Sequence, residues 1–255
     1  MTGNIWPKAF LVDLDNTLHD YRSMAKAARS ALANRIEVLT GTPADEVLRR
    51  YEHLVKLEEK TIAPSARDMR MIRIERLLAG LPGARNIEPG ELVAFLEQAL
   101  FSALRPFDGA IEAFENLRHS ARTVIVTEGY DDMQRAVIDR LGISLTDNGF
   151  LATHRHGVRK ADGSAYRLAH KWLDLPAADI TMIGDNWTWD ILAAAGVGMS
   201  QIWVRGAESE PAKVPANFLG SVSSFRDAPT LISEICRKRG SRPIADSKPT
   251  ERSGP

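Results

Sequence analysis

The chain has 255 residues, 44% hydrophobic and 26% charged, an ordinary balance for a protein that buries one large core or two modest ones. Thirty-three basic residues are matched by thirty-three acidic ones, which argues against the broad basic field of a nucleic-acid binder. The single cysteine, Cys236, excludes an internal disulfide framework and a cysteine-rich zinc site. No apolar run approaches the roughly 20 residues that span a bilayer, and Met1–Pro7 lacks the charged and apolar regions of a secretory signal. A cytoplasmic protein without membrane or nucleic-acid partners is expected.

Lys8-Ala9-Phe10-Leu11-Val12 is a short apolar run closed by Asp13-Leu14-Asp15-Asn16-Thr17-Leu18, the pattern of a buried strand that ends in a polar turn. From about Tyr21 to Leu104 no strand is convincing. Thr42-Pro43-Ala44-Asp45 and Ser65-Ala66-Arg67-Asp68 are helix starts. Behind them Val47, Leu48, Tyr51, Leu54 and Val55, and later Leu92, Phe95, Leu96 and Leu100, recur at helical spacing. About four helices fit, with Gly80-Leu81-Pro82-Gly83 and Glu88-Pro89-Gly90 as punctuation.

Further apolar runs at Thr123–Val126, Ile180–Ile183 and Gln201–Val204 alternate with helical segments, which predicts a parallel sheet covered by helices on both faces. One more strand is expected near Ser221–Phe225, then a helix from about Pro229 to Arg239 ended by Gly240. The tail 241–255 has three prolines and almost nothing apolar, and disorder is expected there. Trp6 and Trp203 read as core.

Ligands of open α/β sheets bind outside the carboxyl ends of the strands. Asp13 and Asp15 follow the first strand, Thr127 follows the second run, and Asp185 and Asp190 follow the third in Gly184-Asp185-Asn186-Trp187-Thr188-Trp189-Asp190. Lys160 sits in a loop between them, beside Arg159, which competes for its role. Carboxylates, a hydroxyl and an ammonium suit phosphoryl transfer. One carboxylate can attack phosphorus, a second can protonate the leaving oxygen and later activate water, and a hard dication can hold the anionic oxygens. The hydroxyl and the lysine would stabilise the phosphoryl group in flight.

Asp13-Leu14-Asp15-Asn16-Thr17-Leu18 resembles the first motif of the haloacid dehalogenase superfamily in its phosphatase form. Thr127, Lys160 and Gly184-Asp185 with Asp190 match the second, third and fourth motifs in order. The resemblance covers roughly residues 8 to 225. It implies a Rossmann-like α/β core (1–18 and 106–235) with an inserted helical-bundle cap of type 1 (19–105). It implies Asp13 as nucleophile and Asp15 as general acid/base. Magnesium would be held by Asp13, the Asp15 carbonyl and Asp185, with Asp190 completing the site or standing just behind it. Thr127 and Lys160 would hold the phosphoryl group, with Glu128 and Gly129 as further candidates for substrate contact. Haloacid dehalogenases proper attack carbon and lack the second acid, so Asp15 points away from them. The expected activity is magnesium-dependent hydrolysis of a small soluble phosphate monoester, a nucleotide or sugar phosphate, through an aspartyl-phosphate. A sugar phosphomutase-type phosphotransferase and a non-catalytic ligand- or protein-binding member stay open as alternatives. Either a monomer or a homodimer is compatible.

One departure stands out: the family commonly shows Asn-Gly after the second-motif hydroxyl, and here the residues are Glu128-Gly129. Beside a dry phosphate an unpaired carboxylate would be repelled by several kcal/mol. Alternatively Glu128 contacts the leaving group or faces solvent in the turn. Further polar and aromatic candidates are His154 and His156 at the pocket rim, the row Arg67, Arg70 and Arg73, the pair Trp187 and Trp189 as pocket wall or floor, and His19, Tyr21 and Arg22 directly after the first motif.

Overall fold

The computed structural model describes residues 6–57, 65–145 and 149–240; the expected disordered tail lies outside them. In chain order come β1 (Ala9–Val12), α1 (Tyr21–Thr40), α2 (Ala44–Leu57), α3 (Ala66–Ala79), α4 (Pro89–Ala103), α5 (Ala110–Ser120) and β2 (Arg122–Thr127). There follow α6 (Asp131–Arg140), β3 (Phe150–Ala152), α7 (Thr153–His156), α8 (Ser164–Leu173), β4 (Ile180–Gly184), a turn of π-helix (Trp187–Leu192) and α9 (Ala193–Gly196). The last elements are β5 (Ser200–Val204), β6 (Phe218–Val222) and α10 (Ala228–Lys238).

All six strands are parallel, in the order β3-β2-β1-β4-β5-β6. Leu11 lies beside Val124 and Met182, and Val12 beside Ile125 and Ile183. The side-chain period of two sends these sets to opposite faces. Leu11, Val124 and Met182 pack with Tyr166, Ala169 and Leu173 of α8 and Ala194 of α9. Phe10, Val12, Ile125 and Ile183 on the other face are fully buried too, so both faces are covered, as a continuous apolar run in a parallel strand requires. Helices α5 and α10 pack on each other and reach β2 and β6. Trp6 and Trp203 are buried as expected. The chain runs outward from β1 to β3 on one side, then returns to β4 on the other. The switch point therefore falls between β1 and β4, where such sheets open a crevice at their carboxyl ends.

Two details differ from the sequence expectation. The three residues of β3 were not read as a strand, being too short to show a period. The last strand runs from Phe218 to Val222 instead of Ser221–Phe225. Gly220, at φ 141°, carries a shift of register against β5. Phe225 is buried in a 3-10 turn that leads into α10. That helix ends before Gly240, whose φ of 66° suits the left-handed stop.

The chain folds as two compact units. One comprises residues 20–105 and 129–140, the other the rest of the described chain with the whole sheet. In the helical unit α1 packs on α4 and α2, and α3 on α4 and α2. Asp20 caps α1 by accepting the Ser23 N–H at 2.9 Å, and Ser65 caps α3 by accepting that of Asp68 at 3.1 Å. Helix α6 belongs to this unit: the Ala66 N–H donates to Asp132 Oδ1 at 3.1 Å, and the Arg140 guanidinium lies 3.7 Å from the centroid of the Phe101 ring.

Candidate active site

Asp13 is the first residue beyond β1, and its N–H donates to Ile183 O of β4 at 2.9 Å. The turn that follows is closed by the Leu18 N–H to Leu14 O (2.9 Å) and the Asn16 N–H to His19 O (2.8 Å). Asn16 takes a φ of 62°, a conformation asparagine tolerates better than most side chains. The turn brings Thr17 back over the strand end, where its Oγ1 donates to Asp13 Oδ2 at 2.8 Å. Lys160 Nζ donates to Asp13 Oδ1. Both carboxylate oxygens are thus held in one orientation in a site where Asp13, Thr17 and Lys160 are all buried. Asp15 is partly exposed, and its Oδ1 lies 2.8 Å from Nε2 of the fully buried His19.

Lys160 is 3% exposed while the Arg159 side chain is 67% exposed. The structure therefore brings Lys160, and not its neighbour, to Asp13. Its Nζ also donates to Asp190 Oδ1 at 2.8 Å. That oxygen accepts a further bond from the Tyr166 hydroxyl at 3.1 Å, and Asp190 Oδ2 accepts the Asn186 N–H at 3.0 Å. The Trp189 carbonyl lies 2.7 Å from the same hydroxyl and shares its single proton. Burial, then the charges of Asp190 and Asp13, raise the Tyr166 pKa well above the usual phenol value, so it stays a donor.

Asp190 lies in the π-helical turn, where the Ile191 N–H reaches back five residues to Asn186 O at 3.3 Å; such turns concentrate at functional sites. A Cβ on Gly184 would lie 2.8 Å from Asp190 Cβ and 2.5 Å from its Cγ. The glycine of Gly184-Asp185 is thus the space that the Asp190 carboxylate occupies. Gly184→Ala is expected to displace Asp190, cost about 2–4 kcal/mol as overpacking combined with a disturbed buried ion pair, and remove most activity. Urea unfolding together with a turnover assay checks this, and a variant of wild-type stability and rate would refute it.

Thr127, the last residue of β2, is fully buried, and its Oγ1 has no hydrogen-bond partner among the described residues. A buried hydroxyl left unsatisfied costs about 1–3 kcal/mol, so this atom is suited to a ligand. Carboxylate oxygens of Asp13, Asp185 and Asp190 lie within 4.8 Å of one another, and the Lys160 ammonium pairs with two of these residues, Asp13 and Asp190. Burial, with Asp190 and Asp185 adding to it, pushes the Asp13 carboxyl well above the usual carboxylate range despite the opposing effect of Lys160. Burial also works against the Lys160 ammonium, but the charges of Asp13 and Asp190 reverse this and hold its pKa above the ordinary value. Carboxylate oxygens gathered this closely favour a bound cation. The hard oxygen donors fit magnesium or a similar dication.

Glu128 Oε2 accepts the Lys160 backbone N–H at 3.0 Å. Gly129 opens the second stretch of the helical unit at φ 152°, against the Gln134 side chain. His156 meets Trp172 edge-on at 5.1 Å, and the cluster with metal-ligand spacing among the described residues contains no histidine. In the helical unit Arg67 and Arg70 both bind Glu97, at 2.6 and 2.9 Å, and Arg73 stands over the Tyr51 ring. Trp187 packs edge-on against Trp203 and Phe218, whereas Trp189 is 44% exposed. Tyr21 and Arg22 begin α1. Sequence reasoning assigned no role to Thr17 or Tyr166. The signal for Thr17 lay in the first motif itself; that for Tyr166 was its place six residues after Lys160.

At the switch point of the parallel sheet a buried carboxylate pair, a lysine and an unsatisfied hydroxyl stand together, a set of groups that suits a hydrolytic α/β enzyme. The sequence model of haloacid dehalogenase-like hydrolases matches residues 7–198, and the chain belongs to that family as a phosphatase-type hydrolase. A glyceraldehyde 3-phosphate phosphatase of Pyrococcus abyssi is 29% identical over 202 residues, 78% of this chain and 81% of that protein. A ribulose-1,5-bisphosphate 5-phosphatase of Halopiger xanaduensis is 26% identical over 216 residues, 82% of this chain and 89% of that one. A pyrimidine 5'-nucleotidase of Escherichia coli is 25% identical over 126 residues, spanning 49% of this chain and 56% of its own length. Among solved structures, a haloacid dehalogenase-like hydrolase of Xanthomonas campestris shares the fold with a TM-score of 0.66 at 18% identity, over 93% of this chain and 99% of that one. No helix among the described residues is long and apolar enough to cross a membrane.

Proposed function

We propose that this chain is a magnesium-dependent phosphatase that hydrolyses a small sugar phosphate through an aspartyl-phosphate on Asp13. The observation that carries the reading is the pairing of a buried, doubly oriented Asp13 carboxylate with the unsatisfied Thr127 hydroxyl. The sugar-phosphate class rests on the two relatives that align over about four-fifths of the chain, both phosphatases of small sugar phosphates by name. Asp13 and Asp185 are assigned as the carboxylate ligands, with the Asp15 carbonyl as the resemblance implies. Asp190, which accepts from Lys160, Tyr166 and the Asn186 N–H, is assigned to anchoring the lysine beside the metal site. When bound, the metal neutralises phosphate oxygens and screens the repulsion between two anions.

Asp13 attacks phosphorus, and the bond to the leaving oxygen breaks as that oxygen takes the proton of Asp15. Asp15, now a carboxylate and steadied by His19, then removes a proton from the water that cleaves the phosphoenzyme. Two of the three Lys160 protons go to Asp13 and Asp190, which leaves the third for a phosphoryl oxygen. Thr127 supplies another donor. The helical unit, inserted directly after the first motif, is assigned the role of selecting the leaving group.

The test is phosphate release from a panel of triose, pentose and hexose phosphates and nucleoside monophosphates, with magnesium and with EDTA. Release from sugar phosphates that EDTA abolishes and magnesium restores is expected. Release indifferent to EDTA would overturn the metal assignment, and a preference for nucleotides would overturn the substrate class.

A further inference from the structure

Glu128 occupies the position after the second-motif hydroxyl where the family commonly carries asparagine. Its carboxylate spans from the end of β2 to the turn bearing the lysine, 32 residues along the chain: Oε2 accepts the Lys160 backbone N–H at 3.0 Å. Oε1 lies 3.7 Å from Arg159 Nε. The Lys160 side chain ties the turn to Asp13 and Asp190, and its backbone is held largely by bonds within the turn. The Arg159 N–H donates to Ser164 Oγ at 2.8 Å, the Gly163 N–H to Lys160 O at 2.8 Å, and the Ala165 N–H to Arg159 O at 3.0 Å. Glu128 adds a backbone link from this turn to the strand whose last residue is Thr127.

We infer that Glu128 is a positioning residue for Lys160, coupling the place of the ammonium to that of the Thr127 hydroxyl; the inference rests on the phosphatase reading above. The Lys160 ammonium sits at the end of a four-carbon stem, and its reach to Asp13 and Asp190 follows from where the backbone of residue 160 is held. Asparagine is one methylene shorter and would withdraw its oxygen from the Lys160 N–H. A misplacement near 1 Å in a catalytic site can cost about a hundredfold in rate. A hydrogen bond to a charged acceptor is among the stronger ones a protein makes. The extra carboxylate therefore serves the lysine and is kept off the phosphate by that bond.

The test compares Glu128→Gln, Glu128→Ala and Glu128→Asn in the full-length protein. Glutamine keeps an oxygen for the Lys160 N–H and is expected to hold kcat within about threefold of the wild type. Alanine and asparagine are expected to lose about 10- to 100-fold in kcat, with KM within about twofold. Exchange of the Lys160 amide proton, followed by NMR on protein labelled at lysine nitrogen, is expected to stay slow in the wild type and Glu128→Gln and to quicken in the other two. Wild-type kcat in Glu128→Ala and Glu128→Asn, or a Gln variant as impaired as they are, would overturn the inference. So would a rise in KM at constant kcat, which would place Glu128 on the substrate. If the wild type itself releases no phosphate, the phosphatase reading fails, and the amide exchange still decides whether Glu128 holds the turn.

Discussion

Asp13→Asn is expected to abolish phosphate release, by at least about 10⁴-fold, while leaving the protein folded and at least as stable as the wild type without metal. The rate loss follows from chemistry: the amide offers no nucleophilic oxygen anion, and losing a nucleophile that works as a unit with its partners costs several orders of magnitude. The stability expectation follows from the electrostatics. Asp13 is buried beside Asp190 and Asp185, and these together push its carboxyl toward the neutral form against the pull of Lys160. An amide has nearly the same shape. Its oxygen can still accept the Lys160 proton, and one of three clustered negative charges is gone. Phosphate release, thermal unfolding in EDTA, and mass spectrometry of rapidly quenched enzyme for a phosphorylated Asp13 peptide are the measurements. A variant that keeps more than a hundredth of the wild-type rate would sink the covalent mechanism.

Lys160→Met carries the second large effect and differs in its signature. Methionine fills much of the same volume without charge, so Asp13 and Asp190 would face each other buried, with no cation between them. Removing one partner of a buried ion pair costs about 3–5 kcal/mol, and here two carboxylates lose the same partner. Turnover is expected to fall by about 10³-fold or more, because the ammonium no longer meets the phosphoryl group. Stability in EDTA is expected to drop by that same range, with part of it recovered on adding magnesium, since a ligand that binds only the folded state adds stability. Denaturant unfolding with and without magnesium measures this. Equal stability of variant and wild type in EDTA would show that Lys160 does not hold the carboxylates together.

Strands β1, β2, β4 and β5 were legible because a strand buried on both faces reads as an unbroken apolar run. The polar residues at their ends stood out against that background, which is how Asp13, Thr127, Asp185 and Asp190 came to notice. Strand β3 was not legible, since three residues carry no period. In β6 the Ser-Val-Ser alternation misled, because Gly220 breaks the ladder and Phe225 is buried by a turn. Contacts between residues close in sequence, such as Thr17 with Asp13, were within reach of a local argument. Those of Tyr166 with Asp190 and of Glu128 with Lys160 join residues 24 and 32 positions apart, and no local pattern announces them. Glu128 illustrates the point most clearly. As a residue in a motif it left open repulsion of phosphate, contact with the leaving group or a place in solvent, and its carboxylate reaches a backbone amide that sequence cannot place.

The helical unit is assembled from two stretches of chain, 20–105 and 129–140, so the polypeptide passes from one unit to the other four times. This limits how the protein can be recombined. Grafting residues 20–105 alone onto a relative's sheet would strand Asp132 and Arg140, whose partners Ala66 and Phe101 travel with the graft. A chimera that keeps its helical bundle whole has to carry both stretches, and the third of its four seams falls between Glu128 and Gly129. Exchange of the helical unit is thereby tied to the residue that steadies the lysine.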